Sequence, residues 1–187
     1  MKHTIITPRF IFVLTVMLVA ALIRLLPHWP NLTPIAAMAL FGGTYFGKKY
    51  LAFLIPLATM FVTDLVLGLH ASMIAVYVGF SITVLIGFIL RSRVRPGTVI
   101  LASLTSSVIF FVITNFASWL TSPFYDQTFA GLLQCYTAGL VFFNNGSYGI
   151  SFFLNEVLGT LFFNAVCFGA FYLSQLQFPA LEKADQE

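Results

Sequence analysis

The sequence predicts an all-α integral membrane protein: six transmembrane helices in one bundle, with both the N- and C-termini cytoplasmic. Three observations predict it. Of the 187 residues, 59% are hydrophobic and only 8% are charged, with a mean hydropathy of +0.96, whereas soluble domains carry about a quarter charged residues. The apolar residues fall into runs long enough to cross a bilayer. The basic residues fall between alternate runs.

A hydrocarbon core of about 30 Å takes roughly 20 apolar residues per helix. In chain order, residues 10–26, 51–67, 73–90, 99–120 and 150–173 meet that length or approach it. Residues 34–46 make a shorter run that reaches only about 20 Å at 1.5 Å per residue. Helix punctuation still marks it, since Thr33 can serve as N-cap and Pro34 suits the first helical position. Residues 129–143, "FAGLLQCYTAGLVFF", carry small and polar interruptions. They read as an interfacial or re-entrant helix, with a seventh span as the competing reading.

Orientation follows from the cations. Lys2 and Arg9 precede the first run, Lys48 and Lys49 separate the second from the third, Arg91, Arg93 and Arg95 separate the fourth from the fifth, and Lys183 follows the sixth. Connections 27–33, 68–72 and 121–149 hold no Lys or Arg. The positive-inside rule therefore puts both chain ends in the cytoplasm. This distribution accounts for the net charge of +3 without a nucleic-acid partner. The first 21 residues also have the form of a signal peptide, with a basic start, an apolar core and "VAA" as a cleavage site. That reading leaves Arg24 and the following prolines without a purpose, and the orientation of the rest unchanged.

Several chemistries are missing. Cys135 and Cys167 lie too far apart for CxxC or zinc-ligand spacing, and Walker A, GxSxG and HExxH sequences are absent. No metal, no required cofactor and no enzymatic activity are expected. A membrane enzyme with Asp64 or Glu156 as base is the minor alternative.

The informative residues are polar ones inside the runs, which are costly there and usually face the bundle interior or a water-filled cavity. Arg24, Asp64 and Glu156 are ionisable, and Asn115, Asn155 and Asn164 accompany them. The orientation converts position to depth. Arg24 sits near the outer end of span one, and Asp64 about 20 Å up span three. Asn115 falls in the outer third of span five, and Glu156 about 10 Å below the outer surface. Glu156, Thr160 and Asn164 recur at i, i+4, i+8, with Cys167 on the same side, so one stripe of the last span is polar and should point inward. Two readings fit. Arg24 pairs with Asp64 or Glu156 to hold the bundle together, or the four outer-half groups line a cavity open to the outside.

The outer connections supply possible rims. "PHWPN" contributes His28, Trp29 and Asn31, "GLHAS" contributes His70, and Tyr77 opens the following span. Trp29, Tyr77, Trp119, Phe124, Tyr125, Tyr136 and Tyr148 could form an ordinary interfacial aromatic belt or, together, the flat walls of a ligand site. The histidines read as solvated loop residues or as ligand contacts. Ala39, Gly43 and Gly47 form a small-xxx-small row, read first as close helix packing and second as a docking surface for a partner protein.

The blocks "RLLPH.PN.TP.AA.ALFGG", "LAFLIPLATMFVTDLVLGLH", "TNFASWL" and "AGLLQCYTAGLVFF" together resemble small bacterial membrane proteins allied to the S components of ECF-type vitamin transporters. Within that group the nearest type is the solitary cobalamin-uptake proteins (BtuM-like). The resemblance implies an S-component-like bundle in the bacterial inner membrane that holds a vitamin-like small molecule near its outer side, cobalamin first. Arg24, His28, Trp29, Asn31, Asp64, His70, Tyr77, Asn115 and Glu156 are then the candidate substrate-binding residues. An ECF energising module is an implied partner, although the AxxxA spacing by which many S components dock it is absent from span one. The cysteine that some cobalamin-type members offer near loop three is also absent. The alternative, from a different class, is a structural or assembly subunit of the envelope acting through a protein partner.

Overall fold

A computed structural model describes residues 7–26, 28–29, 31–69, 72–141 and 151–181. Every regular element among them is helical: α1 (Pro8–Arg24), α2 (Ile35–Tyr45), α3 (Lys49–Leu67), α4 (Met73–Leu90), α5 (Pro96–Thr121), α6 (Phe129–Val141) and α7 (Phe152–Gln177), with a final 3-10 turn at Pro179–Leu181. Four of them, α3, α4, α5 and α7, are long and apolar enough to cross a membrane. Their outer faces expose rows of large apolar side chains, such as Phe61, Val62, Leu65 and Val66 on α3, which water would not tolerate on this scale. The chain is a multi-pass membrane protein.

Helix α2 occupies the centre. It touches α1, α3, α4, α5 and α7, and every residue from Ile35 to Thr44 is buried. An eleven-residue helix is only about 16 Å long. Its small residues explain why so many neighbours reach it. A methyl group on Gly43 would lie 2.5 Å from the Val84 carbonyl oxygen, and one on Gly87 would lie 2.6 Å from that of Leu40. Backbone meets backbone where α2 crosses α4, as small-residue packing between membrane helices requires. Ala39 and Gly43 of the small-residue row are therefore spent on internal packing, whereas Gly47 lies exposed beyond the end of α2.

The ends of α2 are held differently. At its C-terminus the Arg91 guanidinium donates to the Gly43 carbonyl (2.7 Å) and to that of Phe46, and Arg9 donates to that of Tyr45 (3.2 Å). Two cations thus meet the carbonyls that a helix end leaves without partners. At the N-terminus the expected Thr33 cap is not made. Pro34 is the N-cap and brings no side-chain bond, and the backbone at Leu32 and Thr33 packs against Gly159 of α7.

Other expectations are met with shifted ends. The helix at 129–143 appears as α6; residues 142 and 143, like Lys2, Tyr148 and Lys183, lie outside the described residues. Helix α1 buries Val13, Met17, Ala20 and Ala21 against the core.

Candidate functional site

The candidate residues separate into three groups. The first joins α1, α3 and α4. Arg24 ends α1 and extends its guanidinium to the Asp64 carboxylate, to the Thr63 hydroxyl and to the Met60 carbonyl (3.2 Å) on α3. Tyr77 on α4 donates its hydroxyl to the other Asp64 oxygen at 2.9 Å. Asp64 is 1% exposed, so its charge is fully compensated where water does not reach. Both oxygens are engaged, and the cluster ties three helices at one level. Arg24 therefore pairs with Asp64 and leaves Glu156 to another group.

The second group lies along the first two turns of α7. Asn31, in the left-handed region at φ 63° that Asn adopts more readily than most residues, donates from Nδ2 to the Phe152 carbonyl at 3.4 Å. Seven residues further along α7, a methyl group on Gly159 would stand 3.2 Å from Leu32 Cα and 3.3 Å from Thr33 N. The segment Asn31–Thr33 thus lies lengthwise on α7 from Phe152 to Gly159, the face that carries Glu156. Glu156 is 5% exposed. It accepts the Thr160 hydroxyl at 3.0 Å and has no salt bridge to a cation among the described residues. The polar stripe predicted for this helix is internal: Glu156, Thr160, Asn164 and Cys167 are all buried. Pro34 begins the buried helix α2 beside this face, so the first-turn N–H groups of α2 point to the same side as loop one.

The third group is Asn115 on α5, under α6. Its Nδ2 donates to the Phe111 carbonyl at 2.9 Å, and its Oδ1 lies where a side chain on Gly139 would have to go. Helix α6 is fastened to α5 here, with Cys135 donating to the Asn115 carbonyl (3.3 Å) and Tyr136 to that of Val112 (2.8 Å). Trp119 donates to the Asp126 carbonyl (2.8 Å) and Gln127 to that of Trp119 (2.7 Å). Burial pushes the Cys135 thiol and the Tyr125 phenol above their ordinary pKa values. His28 and Trp29 stand exposed on the rim, the His28 ring 2.7 Å from the Leu26 carbonyl. His70 lies outside the described residues.

The sequence reading missed a second polar surface. Ser103, Ser106 and Ser107 on α5 are buried on the helix that packs against α7. Asn164 Nδ2 donates to Ser103 Oγ at 2.7 Å. The spacing i, i+3, i+4 of "SLTSS" signals this face. Beside it a cavity of about 690 Å³ lies between the first half of α5 and the second half of α7, with Ser103 and Asn164 in its lining and Arg95 at the opposite end.

These features define a multi-pass membrane protein built around a buried short helix, with intramembrane carboxylates and an ion pair between helices. Residues 4–181 match the Family of unknown function (DUF6580), and the chain belongs to that family. No curated protein and no solved structure matches it.

Proposed function

We propose that this is a substrate-binding uptake protein of the bacterial inner membrane, S-component-like, with six crossings and both ends in the cytoplasm. Its substrate is a vitamin-like small molecule, with cobalamin the first candidate. The observation that carries the reading is Glu156: a buried carboxylate with no salt bridge to a cation among the described residues, beneath a loop that meets α7 at Asn31 and Gly159. An isolated carboxylate in a bilayer is expensive, and a substrate that brings N–H donors, as the amides of cobalamin do, would offset that cost. The N-terminal turn of α2 beside it suits acceptor groups of the same substrate, in the manner of short helices inside transporters. The Arg24–Asp64–Tyr77 cluster supports the rim by fixing α1, α3 and α4 together.

The envelope-subunit alternative would act through Ala39-Gly43-Gly47; α4 covers Gly43, and Gly47 is exposed. Uptake of labelled cobalamin by cells that rely on this protein tests the proposal. Glu156→Gln should abolish uptake at unchanged protein level. Uptake equal to wild type would contradict it.

A further inference from the structure

The cavity between α5 and α7 is not part of the Glu156 region. It runs from the α5 N-terminus, where Arg95 stands, to the Ser103–Asn164 pair. From Arg95 to Ser103 is eight residues, or about 12 Å of helix. Between these ends the walls are Val99, Ile100, Leu161 and Phe168. The lining contains one basic side chain, Arg95, and no carboxylate. Arg95 is also the N-cap of α5, so its charge adds to the positive end of that helix.

The far end is polar by construction. Ser103 commits its proton to the Val99 carbonyl at 2.8 Å, so Asn164 must turn its amide N–H to Ser103 and present Oδ1 elsewhere. That oxygen is buried and has no hydrogen-bond partner among the described residues. A hydrocarbon chain gains nothing by passing it, so the pair bounds the apolar stretch. Gly169, on the cavity wall, has nothing within 4 Å of where a side chain would begin. The space is open and a larger residue would fill it without displacing the core.

We propose that this groove binds an anionic amphiphile, its hydrocarbon chain along Val99, Ile100, Leu161 and Phe168 and its phosphate or carboxylate head at Arg95 and the α5 N-terminus. The charge decides the occupant. Arg95 at the mouth of an apolar slot, on a connection that also carries Arg91 and Arg93, selects an anionic head over a zwitterionic one. A bilayer phospholipid and a free fatty acid both have this chemistry. The inference stands on the groove alone and does not depend on the uptake reading.

The test is native mass spectrometry of the full chain released from bilayers of phosphatidylcholine mixed with phosphatidylglycerol, with and without added oleate. Wild type should retain one phosphatidylglycerol in preference to phosphatidylcholine, or one oleate when it is supplied; which of the two persists assigns the source. Arg95→Gln should lower retention about fivefold, the worth of one basic residue near an anionic lipid surface. Gly169→Leu should abolish retention without lowering the melting temperature. Equal retention of the two phospholipids by wild type, or unchanged retention in both groove variants, would overturn the proposal.

Discussion

Gly43 of α2 and Gly87 of α4 meet so closely that a methyl group on Gly87 would stand 2.8 Å from Gly43 Cα. The central helix can be central only because this crossing has no side chains in it. Gly87→Val should therefore destabilise the bundle by about 1–3 kcal/mol or more, the usual cost of overpacking. Gly169→Ala, a helix glycine in open space, should instead stabilise by about 0.5–1 kcal/mol from backbone entropy. Thermal unfolding in detergent reads both, and equal effects of the two substitutions would contradict the crossing.

The Arg24–Asp64 pair gives a second contrast. Removing one partner leaves a buried charge alone, which costs about 3–5 kcal/mol, whereas replacing both with apolar residues of similar size is often neutral. Arg24→Met and Asp64→Leu should each lower stability strongly, and the double variant should recover most of the loss. Tyr77→Phe, which removes one hydrogen bond to Asp64, should cost about 1.5–3 kcal/mol. Additive losses in the double variant would show that the two residues do not act as a pair.

Cys135 reports on the docking of α6. Its pKa is raised by burial, so less thiolate is present at a given pH than an exposed cysteine would have, and thiolate is the reactive form. Maleimide labelling at neutral pH should be slow and should accelerate as pH rises past the ordinary thiol range. Gly139→Leu, which drives a side chain into Asn115 and Phe111, should release α6 and speed labelling. Fast labelling of the unmodified protein would mean that α6 is not held on α5.

Gly159 is the point where loop one rests on α7. Gly159→Leu places a side chain against Leu32 and Thr33 and should lift the loop while leaving the spanning helices formed. Limited proteolysis should then cut at Leu32 and Thr33 faster than in the wild type, where both rest on α7. Protection equal to wild type would contradict the contact.

Much of the architecture was legible in the chain, for identifiable reasons. Hydropathy marks the long helices because lipid demands unbroken apolar surface. The polar stripe on α7 is visible because helical periodicity puts Glu156, Thr160 and Asn164 on one face. The central position of α2 was less legible, since "IAAMALFGGTY" reads as a short span, and only the approach of Gly43 to Val84 and the burial of every residue from Ile35 to Thr44 reveal a helix enclosed on all sides. Depth alone grouped Arg24, Asp64, Asn115 and Glu156, because it says nothing of rotation about each helix axis. Rotation separates them: Arg24 turns to Asp64, Asn115 turns beneath α6, and Glu156 turns under loop one. The serine face of α5 escaped because Ser and Thr often return their hydroxyls to their own helix, as Ser103 does to Val99.

The central claim is that a small molecule sits with Glu156 under loop one. Its most direct test is to purify the protein from cells grown in rich medium and to identify what comes with it by absorbance and mass spectrometry. One small-molecule ligand per chain is expected, with a corrinoid spectrum first among the candidates, lost in Glu156→Gln and retained in Arg95→Gln. Reproducible purification with no small molecule other than lipid, at full stability, would contradict it.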